Sequence, residues 1–253
     1  MMRSMKKKTL LYAGDSPAGG PANYLLAMIA TLKGVSLTHI PPGQTLAPSV
    51  LEKKFDGFIL SDFSRKDLPA ESEKRLAQQV KENGAGLLMV GGWGSFSGPF
   101  GKWSGSRVEE LLPVACLKKD DRRNISSGML IREKAKHPMF RGLSFQSSPV
   151  LCGLNEVKLK KNALCLLSAV PMKNSKGRVR LAAPEFPLLV VERDPGKHIA
   201  ALTTDLAPHW CGGWVDWGSK HLKLPVTPAF GVEVGDAYVR FGVSLLRWLI
   251  RLS

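Results

Sequence analysis

The sequence has few cysteines and histidines for its length. Its 253 residues include four cysteines and five histidines. Cys116, Cys152, Cys165 and Cys211 are widely spaced and form no CxxC pair, which argues against a zinc site. No spacing of His, Asp and Glu resembles a metal-binding motif, and nothing indicates an organic cofactor. This cysteine usage suits a reducing compartment, so we expect a cytoplasmic protein with neither metal nor cofactor.

Long hydrophobic runs are also missing. Residues 9–13 are apolar, but they are too few for the core of a signal peptide and lead directly into Gly14-Asp15. No segment approaches the roughly 20 apolar residues of a membrane-spanning helix. We therefore expect no membrane partner. The sequence contains no internal repeat and no low-complexity segment.

Positive charge is abundant but scattered. Lys and Arg number 36 against 21 Asp and Glu, a net charge of +15. The densest basic groups lie within residues 6–8, 118–123, 158–161 and 173–180. None is interleaved with aromatic residues as in a base-stacking surface, so we expect no specific nucleic-acid partner. The charge is either a solvated surface with a positive field or a means of steering anionic ligands to a site.

The first 90 residues alternate between strands and helices. Apolar runs predict strands at residues 9–13, 35–40, 58–62 and 86–90. Apolar residues at helical spacing predict helices over 25–32 and 71–82. Short loops join these elements, which is the pattern of a parallel sheet with helices on both faces. We expect an α/β protein in which residues 1–253 form a single domain.

The second half favours short strands and turns. Strands are predicted at residues 114–117, 129–131, 156–159, 164–169 and 188–191. A turn at 194–197 joins residues 187–192 and 198–203 into a hairpin, and residues 235–252 form a closing helix. We interpret this half as an antiparallel extension of the sheet.

The ends of the predicted parallel strands carry the candidate ligand-binding residues. Asp15 and Trp93 each follow such a strand and Asp62 ends one, and ligands bind α/β sheets outside the carboxyl ends of their strands. Gly94 and Ser95 follow Trp93 in a glycine-rich loop, whose backbone N–H groups could bind an anion. We expect these residues to converge on one crevice.

The segment Gly91-Gly92-Trp93-Gly94-Ser95 resembles a nucleophile elbow, in which a sharp turn presents the reactive residue on a strained backbone. The tip of this turn is Trp93, and an indole cannot act as a nucleophile. The flanking residues do not give Ser95 the small neighbours that a serine nucleophile needs. The sequence therefore predicts the geometry of an elbow without its reactive atom.

His209 is the candidate general base, with Asp205 as the residue that orients it. His209 follows a predicted strand end, where it could instead brace the loop. Asp205 could equally cap a turn. Cys211 lies two residues from His209, but nothing nearby would activate a Cys–His pair.

Aromatic residues concentrate in the same predicted loops as the strand-end aspartates. They are Trp93, Phe96, Trp103, Trp210, Trp214 and Trp217. Aromatic faces beside carboxylates suit sugar-like ligands, with Trp93 and Trp210 in contact. The same residues could instead pack the loops or form an interface in a homo-oligomer.

Together, five segments resemble the bacterial family of glutamine amidotransferase-like cytoplasmic proteins. They are residues 56–62, 86–96, 110–114, 137–143 and 203–210. The family belongs to the class I glutamine amidotransferase-like superfamily, which includes trehalose-utilisation-type proteins and the trimerisation domain of some β-galactosidases. The resemblance covers nearly the whole chain and implies a flavodoxin-like three-layer α/β/α sandwich.

The catalytic residues of that superfamily do not carry over to this sequence. Class I glutaminases have a Cys at the elbow and a His-x-Glu pair late in the chain. Here the elbow carries Trp93, and the residue two beyond His209 is Cys211. The resemblance thus implies a degenerate active site that binds a small polar metabolite without glutaminase activity. Two alternatives remain: a hydrolase or isomerase with His209 as base and Asp62 or Asp205 as partner, and a non-catalytic interaction module.

Overall fold

Ten strands form the main sheet of the computed structural model, which describes residues 7–16, 23–147, 149–206, 208–227 and 230–252. The described residues contain fourteen strands in all: β1 (Lys8–Gly14), β2 (Val35–Ile40), β3 (Gly57–Ser61), β4 (Gly86–Val90), β5 (Val114–Cys116), β6 (Arg122–Glu133), β7 (Val150–Asn155), β8 (Val157–Leu159), β9 (Ala163–Ser175), β10 (Arg178–Leu181), β11 (Phe186–Glu192), β12 (Ile199–Leu202), β13 (His221–Thr227) and β14 (Phe230–Gly235). The helices are α1 (Asn23–Ala30), α2 (Ala70–Glu82), α3 (Arg107–Leu111), α4 (Pro208–Cys211) and α5 (Asp236–Leu249). Short 3-10 turns lie at Val50–Glu52, Arg65–Asp67, Pro138–Phe140 and Gly212–Asp216.

The main sheet has a parallel half and an antiparallel half. Its strand order is β2-β1-β3-β4-β12-β11-β9-β6-β7, with β10 paired to the end of β9. The first five strands run parallel to one another, and pairing from β12 onward is antiparallel. Two further antiparallel pairs, β5–β8 and β13–β14, lie outside this sheet. The predicted antiparallel extension and the hairpin of β11 with β12 are confirmed.

Side chains of the parallel strands alternate between two hydrophobic cores. In β1, Leu10 and Tyr12 face one core while Leu11 and Ala13 face the other. The first core is covered by α1 and α5, and the second by α2 and α3. Because both faces of the parallel strands are buried, their sequences are continuous apolar runs rather than alternating ones. The result is the flavodoxin-like three-layer α/β/α arrangement that the resemblance implied.

Each of the two long helices, α2 and α5, packs one apolar face against the sheet. In α2, Leu76 and Val80 are buried as predicted, and Glu71 and Glu73 lie in the first turn, where the helix dipole favours negative charge. The closing helix α5 is shorter at both ends than the predicted residues 235–252. Within the described ranges, no helix is long and apolar enough to cross a bilayer.

Several strands of the second half differ from the prediction. β7, β10, β13 and β14 were not predicted, and β6 is far longer than residues 129–131. The first half of β6 has mostly exposed polar side chains, so no apolar alternation marks it. Pairing with β7 and β9, which is invisible in the local sequence, extends the strand.

Candidate functional site

A cleft of about 450 Å³ opens at the carboxyl ends of the parallel strands. Asp15 from the end of β1, Asp62 from the end of β3, and Trp93 with Gly94 from the turn after β4 all line it. The structure thus brings together four of the six residues expected to bind ligand. Phe100 completes the aromatic part of the wall.

Asp62 occupies the strained position at this edge. Its φ of 49° lies in the left-handed region, which Asp tolerates better than most residues. Its backbone N–H donates to Ser95 Oγ at 3.0 Å, and its Oδ1 accepts from the Gly94 N–H at 2.6 Å. Ser95 is almost fully buried, so it positions Asp62 from behind and does not line the cleft.

The turn after β4 lacks the geometry of a nucleophile elbow, so that prediction was wrong. Trp93 is not among the described residues with positive φ, and the next helix begins only at Arg107. Gly92, the residue before Trp93, has an unusual backbone conformation, with a φ of 145°. A Cβ there would lie 2.2 Å from Asp62 Oδ2. The glycine therefore lets the Asp62 carboxylate rest directly on the turn.

Two carboxyl groups with different surroundings share the floor of the cleft. Burial, reinforced by the negative charge of Asp62, raises the pKa of Asp15 to about 7. The Asp62 carboxyl group instead accepts the backbone N–H of Gly94. Near neutral pH, Asp15 can thus hold or release a proton while its neighbour accepts hydrogen bonds.

Two aromatic rings form the mouth of the cleft. Trp93 is 44% exposed, and its ring centroid lies 6.3 Å from that of Phe100 with 25° between the planes. The Arg122 guanidinium carbon lies 4.0 Å from the Trp93 centroid, a cation–π contact. Asp120 pairs with that guanidinium at 2.7 Å, which fixes its position beside the indole.

The lining of the cleft is acidic although the chain is strongly basic. Asp15, Asp62 and Asp67 face a single lysine, Lys66. This balance does not support steering of anionic ligands into the cleft, one of the two explanations considered for the net charge.

A buried amide holds the turn after β4 in place. Asn155, at the end of β7, accepts the Gly92 N–H at 2.9 Å through Oδ1 and donates to the Gly92 carbonyl at 3.2 Å through Nδ2. Nδ2 also donates to Asp121 Oδ1 at 2.7 Å, and Asp121 Oδ2 accepts the Ser97 N–H at 2.7 Å. Both side chains are fully buried. Burial raises the pKa of Asp121 to about 6, and the bond from Asn155 opposes that rise.

Sequence reasoning missed this pair. Asn155 ends a strand that no pattern predicted, and 63 residues separate it from Gly92. Asp121 follows a basic, polar loop in which an acidic residue is expected at the surface. The strand beside it, β6, was predicted only from residue 129, so no local signal marked Asp121.

Most of the tryptophans are core residues, which corrects the expectation of an exposed aromatic edge. Trp103, Trp210, Trp214 and Trp217 are all buried, as is Phe96. Trp210 does not line the cleft, and its Nε1 donates to Asn124 Oδ1 at 2.9 Å. The 208–217 segment folds into two short helical turns that turn these rings inward. Of this aromatic set, only Trp93 is exposed.

The family model "Putative glutamine amidotransferase" matches residues 56–224, about two thirds of the chain. The chain belongs to this family. Among proteins of curated function, none matches it.

Solved structures with similar folds include two cytoplasmic proteins from Salmonella typhimurium. One is 21% identical, with a TM-score of 0.61, and the match covers 81% of this chain and 91% of that one. The other is 23% identical, also with a TM-score of 0.61, covering 79% and 89%. A "Putative thua-like protein" from Bacteroides uniformis is 14% identical with a TM-score of 0.58, covering 98% and 94%. At these identities the likeness establishes the fold.

This glutamine amidotransferase-like chain has no thiol among the described residues that line the cleft. Cys211, the cysteine nearest to His209 in sequence, is fully buried, and its Sγ donates to the Asp205 carbonyl at 2.9 Å. Burial raises the pKa of Cys211 well above that of an ordinary thiol. A buried, protonated thiol is neither accessible nor nucleophilic.

Of the candidate catalytic pair, Asp205 is the member whose side chain the structure describes. Asp205 follows β12 and is buried, but it is not among the residues that line the cleft. His209 lies in α4, and its side chain is outside the described part of the structure. No three His, Cys, Asp or Glu side chains converge within the described residues as a metal site requires.

Proposed function

We propose that this glutamine amidotransferase-like protein binds a small, polar, sugar-like metabolite in the cleft and does not hydrolyse glutamine. The observation that carries the proposal is that one cleft holds both the Asp15–Asp62 pair and the partly exposed ring of Trp93. Carboxylates beside a flat apolar ring match the hydroxyl groups and the apolar face of a sugar.

The absence of glutaminase activity rests on the turn after β4. The turn carries Trp93 and no cysteine, and Cys211 is enclosed in the core. Loss of the nucleophile alone removes about six orders of magnitude of rate in triad hydrolases. We expect no ammonia release from glutamine above the uncatalysed rate.

The charge of the cleft supports a neutral ligand over an anionic one. A phosphate or carboxylate group would meet three aspartates and one lysine. Hydroxyl groups can instead donate to the Asp62 carboxylate and accept from a protonated Asp15, whose pKa of about 7 keeps much of it protonated at neutral pH. Sugar phosphates should accordingly bind more weakly than the parent sugars.

A thermal-shift screen tests the proposal with neutral monosaccharides, sugar phosphates, amino acids including glutamine, and nucleotides. A ligand at about 100 times its Kd stabilises the folded state by about 2.7 kcal/mol. We expect a neutral sugar to raise Tm. Asp62→Asn, which keeps an oxygen for the Gly94 N–H, and Trp93→Ala should each abolish the shift.

Phe230→Ala is the matched control, because Phe230 is similarly exposed but belongs to β14. It should leave the shift unchanged. A shift that survives Trp93→Ala, or one produced by anionic compounds alone, contradicts the proposed ligand class.

A second candidate is a hydrolase or isomerase that acts by proton transfer. The observation favouring it is the raised pKa of Asp15 beside a second carboxyl group, Asp62, since a carboxyl group that keeps its proton near neutral pH can act as a general acid. Turnover of chromogenic aryl glycosides, followed against pH, tests this candidate. Activity whose profile changes near pH 7, and whose change is lost in Asp15→Asn, supports catalysis. A flat baseline leaves binding as the function.

Cytoplasmic location and assembly into a homo-oligomer complete the proposal. Both Salmonella relatives of similar fold are named cytoplasmic proteins. Light scattering on the purified protein measures the assembly state, and Trp210, Trp214 and Trp217 are too buried to form the interface.

A further inference from the structure

The ends of β9 and β10 project as a two-stranded ribbon, residues 172–181, which we call the basic ribbon. Lys176 and Gly177 form its turn, with φ of 52° and 74°. Two successive positive φ values are typical of the type I′ turn of two-residue hairpins. Ser175 lies opposite Arg178, and Lys173 lies opposite Arg180. These pairings fix which side chains share a face.

One face of the ribbon is cationic. Lys173, Arg178 and Arg180 lie on it with Ser175, Lys176 occupies the turn, and all are exposed. Residues 172–181 contain no acidic side chain. Like charges directly opposite each other destabilise a pair of strands, and Lys173 faces Arg180. In the isolated chain this face is therefore electrostatically unfavourable.

Neighbouring cations of the antiparallel half are neutralised, unlike those of the ribbon. Arg123 pairs with Glu156, and Arg132 and Lys134 pair with Glu185 at 3.6 and 3.3 Å. Within the described part of the chain, no ion pair involves a cation of the basic ribbon. Its charge remains available to a partner.

The opposite face is apolar and exposed. Val179 and Leu181 are 69% and 49% exposed, although β-branched and aliphatic side chains gain from burial. They share this face with Asn174 and Met172. Along β10 the side chains thus alternate strictly between Arg and an aliphatic residue.

The backbone groups on the outer edge of β10 face away from its partner strand β9. A two-residue turn closes on a hydrogen-bonded pair, so Arg178 and Arg180 bond to β9 while the N–H and C=O groups of Val179 and Leu181 point outward. The Ala182 N–H, bonded to the Pro171 carbonyl at 2.8 Å, continues this alternation. Among the described strands, β10 pairs with β9 alone.

We propose that the outer edge of β10 binds an extended peptide segment of a partner protein in which acidic and apolar residues alternate. Such a segment adds a strand through the outward backbone groups of Val179 and Leu181. Its acidic side chains lie beside Arg178 and Arg180 on one face. Its apolar side chains cover Val179 and Leu181 on the other.

This partner accounts for the edge, the charge and the apolar face together. A nucleic acid or an anionic lipid surface would use the cations and leave the strand edge unsatisfied. A second copy of the chain would place arginine beside arginine. The alternating acidic peptide is therefore the best match.

The test is fluorescence anisotropy with a labelled peptide of about four Glu-Val repeats, long enough to span the four-residue edge. The Lys-Val version and a proline-containing scramble of the first peptide are the peptide controls. We expect the Glu-Val peptide alone to bind. The double variant Arg178→Glu/Arg180→Glu should weaken binding at least about tenfold. Lys33→Glu/Lys161→Glu, an equal change of charge on exposed lysines elsewhere, should not.

A backbone variant separates strand addition from simple charge attraction. Val179→Pro removes an outward N–H and no bond to β9, so it should weaken peptide binding without unfolding the protein. Val179→Thr keeps the N–H and should bind normally. Unfolding temperatures confirm that each variant is folded. Absence of Glu-Val binding, unchanged binding to Val179→Pro, or preference for oligodeoxythymidylate or phosphatidylserine vesicles would overturn the proposal.

Discussion

The cleft and the basic ribbon hold charge in opposite ways. In the cleft, Asp15 and Asp62 are partly buried, the charge of Asp62 helps to raise the pKa of Asp15, and Asp62 rests on a turn fixed by the buried Asn155. On the ribbon, Arg178 and Arg180 stand in solvent with no carboxylate beside them. Substitutions of the buried charged groups should therefore change the stability of the protein. Substitutions of the exposed charges should mainly change the binding of a partner.

Of the substitutions that test this contrast, removal of the Asn155 side chain should cause the largest loss of stability. Asn155→Ala leaves the buried Asp121 without its amide and frees Gly92 from two bonds, so we expect a loss of about 3–5 kcal/mol. Urea unfolding measures it. The exposed Asn162→Ala is the control and should change stability by less than about 0.5 kcal/mol. A small effect at Asn155 would mean that the turn does not depend on this amide.

A methyl group at Gly92 should have the next largest effect. Gly92→Ala places a Cβ against the Asp62 carboxylate at a backbone conformation that favours glycine. We expect destabilisation of about 1–3 kcal/mol and loss of ligand binding. Gly177→Ala is the control for the backbone term, because nothing lies within 4 Å of its Cβ position. Equal losses at both glycines would show that contact with Asp62 contributes nothing.

Asp15 should make stability fall as pH rises. The fold raises the pKa of this carboxyl from its ordinary value of 3.8 to about 7, so the unfolded chain loses its proton first and stability decreases from about pH 4 to pH 7. Asp15→Asn should therefore match the wild type near pH 4 and exceed it at pH 8. Since the group is partly solvated, the gain should be about 1–2 kcal/mol.

Thermal unfolding of both proteins at the two pH values measures this difference. Asp120→Asn is the control, because hydrogen bonding to Arg122 lowers the pKa of Asp120 and its loss should give no gain at pH 8. Wild type and Asp15→Asn with parallel pH profiles would show that Asp15 ionises normally.

Changes on the basic ribbon should have the smallest effect on stability. Arg180→Ser removes a charge that faces Lys173. The free energy of unfolding should therefore stay constant or rise by about 0.5 kcal/mol or less, and Tm should follow it. Measuring Tm at low and high salt sharpens the result, because screening should remove any gain. A clear loss of Tm would mean that the ribbon is already neutralised within the protein.

The parallel half was predictable because its signals are local. Strands buried on both faces are apolar runs that end at turn residues, so β2 and β4 have the bounds predicted for them. The rule that ligands bind at strand ends then placed Asp15, Asp62 and Trp93 together. Chain order and simple geometry were sufficient here.

The remainder depends on contacts between distant segments. Asn155 reaches Gly92 from a strand whose sequence showed no alternation, and such pairing exists only in the folded chain. For most of the tryptophans the sequence left ligand contact and loop packing open, and the structure shows packing, since their loops fold inward onto the core. Asp62, and not Trp93, has a positive φ, and nothing in the local sequence marked it.

The side-chain amide of Asn155 forms the two hydrogen bonds with the Gly92 backbone that a neighbouring strand would form. It accepts the Gly92 N–H and donates to the Gly92 carbonyl. We therefore expect the floor of the cleft to keep its shape when a ligand binds. A ligand arriving there needs to order only the rings at the mouth, Trp93 and Phe100. Recognition of this kind loses little conformational entropy, so even a small and weakly apolar molecule can be held with useful affinity.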